Sequence, residues 1–177
     1  MKSTRLRFSA LSRLLHWSMA VLIITMLFVG VGMVSTVSRL HNTLLALHRP
    51  LGIALLALVI VRMAVRLVCG APPLPADMPA WQRMAAHGSH LALYLLMLAM
   101  PLIGWSMLSA GGYPIVLAGG VHLPPIAPHS VALYAWLRAA HTWLAMALYA
   151  TLLLHVAAAL FHALIRRDGV FSSMARG

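Results

Sequence analysis

The chain has 177 residues, of which 62% are hydrophobic and only 8% charged, with a mean hydropathy of +0.92; soluble domains carry about a quarter charged residues. That composition excludes an ordinary soluble domain and makes this a membrane protein. The formal charge of +11 does not read as a nucleic-acid surface, because most basic residues sit at the ends of apolar runs, where anionic lipid is the ready partner.

Crossing the hydrocarbon takes about 20 helical residues, and four runs reach that length, at 14–35, 48–69, 88–109 and 141–165. They predict an all-α membrane protein in which residues 1–177 form a single four-transmembrane-helix bundle. The first run follows Lys2, Arg5, Arg7 and Arg13, as a signal peptide would. Its length and the lack of a small-residue cleavage site make it a retained span. The second opens with HRPLG, where Pro50 suits a first helical turn and would fit an interior poorly. The linker CGAPPLPADMPAWQR reads as extended, and Pro101 predicts a kink in the third helix.

The segment SAGGYPIVLAGGVHLPPIAPHS, within 110–130, reads as a long irregular loop. After it, VALYAWLRAAHTW contains no breaker, so the fourth helix is expected over 131–166. At 1.5 Å per residue it would be roughly 50 Å long and project beyond the outer surface. Cys69 is the single cysteine, so neither an intrachain disulfide nor a thiolate metal cluster is available.

The basic residues set an orientation. Lys2, Arg5, Arg7 and Arg13 precede helix one, Arg62, Arg66 and Arg83 flank the linker between helices two and three, and Arg166, Arg167 and Arg176 follow helix four. Only Arg39, Arg49 and Arg138 fall on the other side, so both termini are expected in the cytoplasm. The only carboxylates, Asp77 and Asp168, belong to the cytoplasmic side. The outer surface is then free of acid, a field that would favour an anionic reactant unless it reflects orientation signals alone.

Ten histidines in so apolar a chain need a reason, because ionisable groups at membrane depth are costly. His16 falls at the cytoplasmic end of helix one, while His48 and His141 fall at the outer ends of helices two and four. His155 lies fourteen residues after His141, about 21 Å along the axis and within about 40° of the same face. Two stacked sites follow, His16 with His155 and His48 with His141. Facing imidazoles in a bundle interior are what a bis-histidine haem requires. The residue at i+4 from each is small: Ala20, Gly52, Ala145 and Ala159. After His87, His90 and His162 it is Leu91, Tyr94 and Arg166. The plain alternative is a set of interfacial histidines bonded to backbone or water. A metal transporter would need clustered ligands with acids nearby, and a proton channel would not account for two pairs.

The stretches RLLHW, LHRPLGIALLALVIVRMAVRL, AAHGSHLALYLLMLAMPLIGW and RAAHTW…LLLHVAAALFHALIRRD resemble the bacterial cytochrome b-561 family over nearly the whole chain. The resemblance implies a four-helix inner-membrane cytochrome with two haem b groups, exchanging electrons with the ubiquinone pool. Superoxide oxidation coupled to ubiquinone reduction is an activity of that family. The implied iron ligands are the same pairs, His16 with His155 and His48 with His141. The outer loop matches no family pattern, which leaves the donor open.

With both axial positions of each iron filled, electrons would pass through the porphyrin edges. Arg49 and Arg138, next to the outer ligands, would hold haem propionates, with steering of an anionic donor as a by-product. Arg62, fourteen residues past His48, reaches the inner level, with Arg13 and Arg66 close by; propionate binding and snorkelling to lipid stand equal for these. His162, seven residues past His155, or His90, with His87 at the same level, would border a quinone pocket and relay protons, unless each is only an interfacial histidine. A membrane-anchor cytochrome b relaying electrons between quinone and a partner dehydrogenase or hydrogenase is the alternative.

Overall fold

The computed structural model describes residues 7–117 and 120–176; Lys2 and Arg5 lie outside the described residues. Helix α1 runs Ala10–Ser35, α2 Arg39–Cys69, α3 Ala80–Ala110 and α4 Val131–Leu160. Helix α4 continues through a π-helical turn, Phe161–Arg166. A short α5, Val170–Ala175, ends the chain. Four of these helices are long and apolar enough to span a membrane, the last as the unit Val131–Arg166.

Helix starts follow caps rather than hydropathy. The hydroxyls of Ser9, Ser38 and Ser130 accept from the backbone N–H of Ser12, Leu40 and Leu133, satisfying amides that have no partner within the helix. The first two helices therefore begin before their apolar runs, at residues 10 and 39, and α3 also begins early, at residue 80 after Pro79, without a side-chain cap. For Pro50 the expectation fails: it lies inside α2. The cap at Ser38 starts the helix a full three turns earlier. A proline that removes one backbone bond is tolerated in a membrane helix whose neighbours compensate. Pro101 likewise lies inside α3.

The outer loop also departs from expectation, because it contains a small antiparallel ribbon. Strands β1 (Ile115–Val116) and β2 (His122–Leu123) pair Ile115 with Leu123 and Val116 with His122. Side-chain bonds hold this segment on the end of α3, from Trp105 Nε1 to the Pro124 carbonyl (3.0 Å) and from Ile126 N to Ser109 Oγ (3.1 Å). Glycine and proline broke the helical pattern there without revealing these long-range partners.

Helix α1 packs along α2 and α3 along α4, with α2 and α3 joining the two hairpins. The most enclosed cluster, Met19, Ile23, Leu56 and Val59, lies along the axis between the two histidine levels. Many large apolar side chains, Phe28, Leu67 and Leu154 among them, remain exposed, as expected when lipid rather than protein covers them. The first and last described stretches of the chain meet at one end of the bundle. Phe8 N donates to the Ser173 carbonyl (3.2 Å), Trp17 Nε1 to that of Met174 (3.2 Å) and Arg13 Nη1 to that of Arg176 (3.0 Å).

Candidate cofactor site

The face of α4 turned toward the bundle carries His141, Ala145, Leu148, His155, Ala159 and His162, all at least partly buried while their flanking neighbours are largely exposed. This is the three-to-four periodicity of a helix packed on one side. The same face thus presents imidazoles at two depths, fourteen residues or about 21 Å apart.

Each meets a partner from the other hairpin. The ring centres of His16 and His155 are 6.3 Å apart, those of His48 and His141 6.2 Å, with the planes crossed by 66° and 70°. Metal–nitrogen bonds of about 2 Å, plus about 1.1 Å from each ring centre to its nitrogen, put two imidazoles on opposite sides of one iron about 6.2 Å apart. Both pairs match that separation. His90 adds a third ring at the inner level, 5.5 Å from His155, which is short for the same arrangement. Spacing therefore favours His16 over His90 as the partner of His155.

Unmatched polar atoms also fit a bound group. His48 Nδ1, His141 Nδ1, Arg49 Nε and Tyr94 Oη are buried without a hydrogen-bond partner among the described residues. Buried polar atoms are nearly always paired, so three of them at the outer level suit an iron with anionic side groups. The opening beside His141 is made by Gly104 on α3, where an added Cβ would stand 3.3 Å from His141 Cε1. Gly52, by contrast, has only an ordinary 3.8 Å approach to Met26, so its smallness is not demanded by a protein neighbour.

The arginines divide. Arg138 borders an open groove of about 470 Å³ along α4 with Tyr134, Thr142 and Trp143. At the inner end, Arg62 donates to the Ser12 carbonyl (3.1 Å) and lies in electrostatic range of His16, His90 and His155. Arg62, Arg66, Ser12 and Tyr94 line a small cavity, with the Arg66 guanidinium 6.0 Å above the Tyr94 ring. Arg13 is instead bonded to the C-terminal backbone.

His162 and His90 are not brought together as one cluster by any close ring contact. His90 belongs to the inner imidazole group, and His87 is exposed near it. His162 forms its own site, with Nδ1 2.6 Å from Asp168 Oδ2. Arg166 Nε is 3.2 Å from the same oxygen, and its Nη groups reach Asp77 (2.9 Å) and Gln82 (2.7 Å). Sequence reasoning missed Asp168, Tyr94 and Gly104 as contributors. The π turn and left-handed Arg167 fold Asp168 back onto His162, which regular helical spacing cannot foresee. The pairing of Gly104 with His141 crosses between helices.

A membrane four-helix bundle with opposed imidazoles at two depths of its interior has the architecture of a transmembrane b-type cytochrome. The chain belongs to the prokaryotic cytochrome b561 family, whose profile it matches over residues 7–177. It is similar to cytochrome b561 homolog 2 of Escherichia coli K12, 31% identical over 171 residues covering 95% of this chain and 90% of that protein. It is 29% identical to cytochrome b561 homolog 1 of the same organism over 176 residues, 95% and 96% of the two chains. A protein of Yersinia pestis named "Probable superoxide oxidase CybB" is 33% identical over 129 residues, 72% of each chain. The family carries out membrane electron transfer and normally binds haem b.

Proposed function

We propose that this protein is a two-haem quinone reductase of the bacterial inner membrane that takes electrons singly from a small anionic donor, superoxide foremost, and delivers them to ubiquinone. The observation that carries this reading is the pair of imidazole couples fourteen residues apart on α4, each at the spacing of iron ligands. His16 with His155 and His48 with His141 would each hold one haem b. When bound, these groups supply one-electron carriage between the two membrane faces.

The chain's own residues provide the remaining functions. Arg49 Nε, buried and unpaired, supports an anion contact at the outer level, and Arg138 beside its groove supports both propionate holding and donor attraction. Arg62, with Arg66, offers guanidinium groups at the inner level. The two acids, Asp77 and Asp168, are both engaged by Arg166 instead. His162 and His90 stand at the inner end, where a quinone would need protons. Two superoxide ions each lose one electron to leave two dioxygen molecules, while quinone gains two electrons and two protons to become quinol. Both termini then lie in the cytoplasm, consistent with the meeting of the chain ends and the basic residues around them.

The test is to purify the chain, quantify its haem, and follow ubiquinone reduction under a superoxide source. About two haems per chain and quinol formation by the isolated protein are expected. A haem-loaded protein that forms no quinol without a partner dehydrogenase or hydrogenase would assign it instead to the membrane-anchor class.

A further inference from the structure

The carboxylate of Asp168 is the best-placed acid in the molecule. Its side chain is only 9% exposed and that of His162 13%, whereas Asp77 is 75% exposed. Three groups converge on it: His162 Nδ1 at 2.6 Å and Arg166 Nε at 3.2 Å on one oxygen, and Val170 N at 3.2 Å on the other. The guanidinium pairs with the carboxylate and the backbone amide donates to it, so toward His162 the carboxylate serves as the acceptor. Nδ1 of His162 must then carry the proton that is shared with it. Nε2, which makes no hydrogen bond among the described residues, is left for another molecule.

This arrangement is that of an imidazole held in one tautomer and one orientation by a fixed carboxylate. The residues around it explain why Asp168 can do this and Asp77 cannot. The π turn widens the helix at His162, Arg167 reverses the chain in the left-handed conformation, and Arg166 ties the end of α4 to Gln82 at the start of α3. The charge of Arg166 offsets that of Asp168, so the carboxylate keeps its place at the membrane edge.

We propose that Asp168 is a positioning residue that holds His162 with Nε2 presented to the ubiquinone carbonyl, so that His162, having taken a proton on Nε2 from cytoplasmic water, passes it on as one of the two protons of quinol formation and returns to the neutral form protonated at Nδ1. This rests on the quinone reading above. The electrons come, as there, from the one-electron donor, one for each superoxide converted to dioxygen.

Two measurements on the full-length, haem-loaded protein in detergent test it. In the first, ¹⁵N-histidine spectra of the dithionite-reduced protein are assigned for His162 by the signal lost in His162→Gln. Wild type should show His162 protonated at Nδ1, and Asp168→Asn should shift the population toward the other tautomer. An unchanged tautomer in Asp168→Asn overturns the proposal whatever the protein reduces. In the second, ubiquinone-1 reduction is followed at constant haem content. Asp168→Asn should lower kcat about 10- to 100-fold with KM little changed, Asp168→Glu should recover part of the loss, and Asp77→Asn should match wild type. Asp168→Asn placed in a His162→Gln background should cost nothing more, since residues acting as one unit are not additive. Additive losses, or a normal rate in Asp168→Asn, overturn the positioning role. Absence of quinone reduction in wild type with an intact Asp168-dependent tautomer would instead bring down the quinone reading and, with it, the proton transfer.

Discussion

Gly104 on α3 lies directly against the His141 imidazole on α4, close enough that a single added carbon would stand 3.3 Å from Cε1. The ring is therefore located from two sides, by its own helix and by the bare backbone of another. A methyl group at that distance forces its neighbour to yield by a few tenths of an ångström. Gly104→Ala should shift the midpoint potential or the low-spin EPR signal of one haem and leave the other unaltered. Gly104→Leu should lower total haem by about one per chain, as over-packing at a tight contact typically costs about 1–3 kcal/mol.

The two couples share α4 but take their other members from α1 and α2, at different depths, which makes ligand loss separable. His48→Ala and His141→Ala should each remove the same one of about two haems, and His16→Ala and His155→Ala the other. Pyridine haemochrome quantification with redox titration identifies which component is missing. If His90→Ala lost a haem while His16→Ala kept both, the inner pairing would have to be redrawn with His90 as ligand.

How far these features were legible beforehand depends on whether they are periodic. Hydropathy located four spans, and the fourteen-residue step from His141 to His155 anticipated imidazole pairs at two depths, because both signals repeat with the helix. Pro50 misled, since a local preference for first turns was outweighed by the serine cap twelve residues earlier. The ribbon joining Ile115 to Leu123 and the return of Asp168 onto His162 depend on turns and contacts between segments. No periodicity carries such information. Arg13 was grouped with the inner arginines by level alone, yet its guanidinium binds the carbonyl of Arg176.

Arg138 tests the outer surface. Reversing its charge in Arg138→Glu should slow superoxide-driven haem reduction by about 10-fold at low salt and flatten the dependence of that rate on ionic strength. Stopped-flow traces at several salt concentrations check this, with haem content measured alongside. A lower haem content with an unchanged salt slope would assign Arg138 to propionate binding alone.

Orientation can be read independently of activity. Reporter fusions at the N- and C-termini should both give the cytoplasmic signal, and a reporter inserted within the 110–130 loop should give the periplasmic one. Opposite signals from the two termini would contradict the four-span bundle and the contact between Phe8 and Ser173.

Arg166 bonds to Asp77, Gln82 and Asp168 at once. Removing the exposed partner with Asp77→Asn should change thermal stability by less than about 1 kcal/mol. Arg166→Gln should cost more, because it takes a fixed donor from a nearly buried carboxylate. Thermal unfolding of the haem-loaded protein in detergent compares the two.

Each imidazole couple takes one member from α4, the last long helix to be made, and that helix is joined at its far end to the beginning of the chain. A ribosome that stalled after α3 would release His16 and His48 without the α4 histidines that face them, so on the proposed pairing a partial chain would lack a ligand at both depths. Haem loading would then wait for α4, and a truncated product would be expected to be colourless.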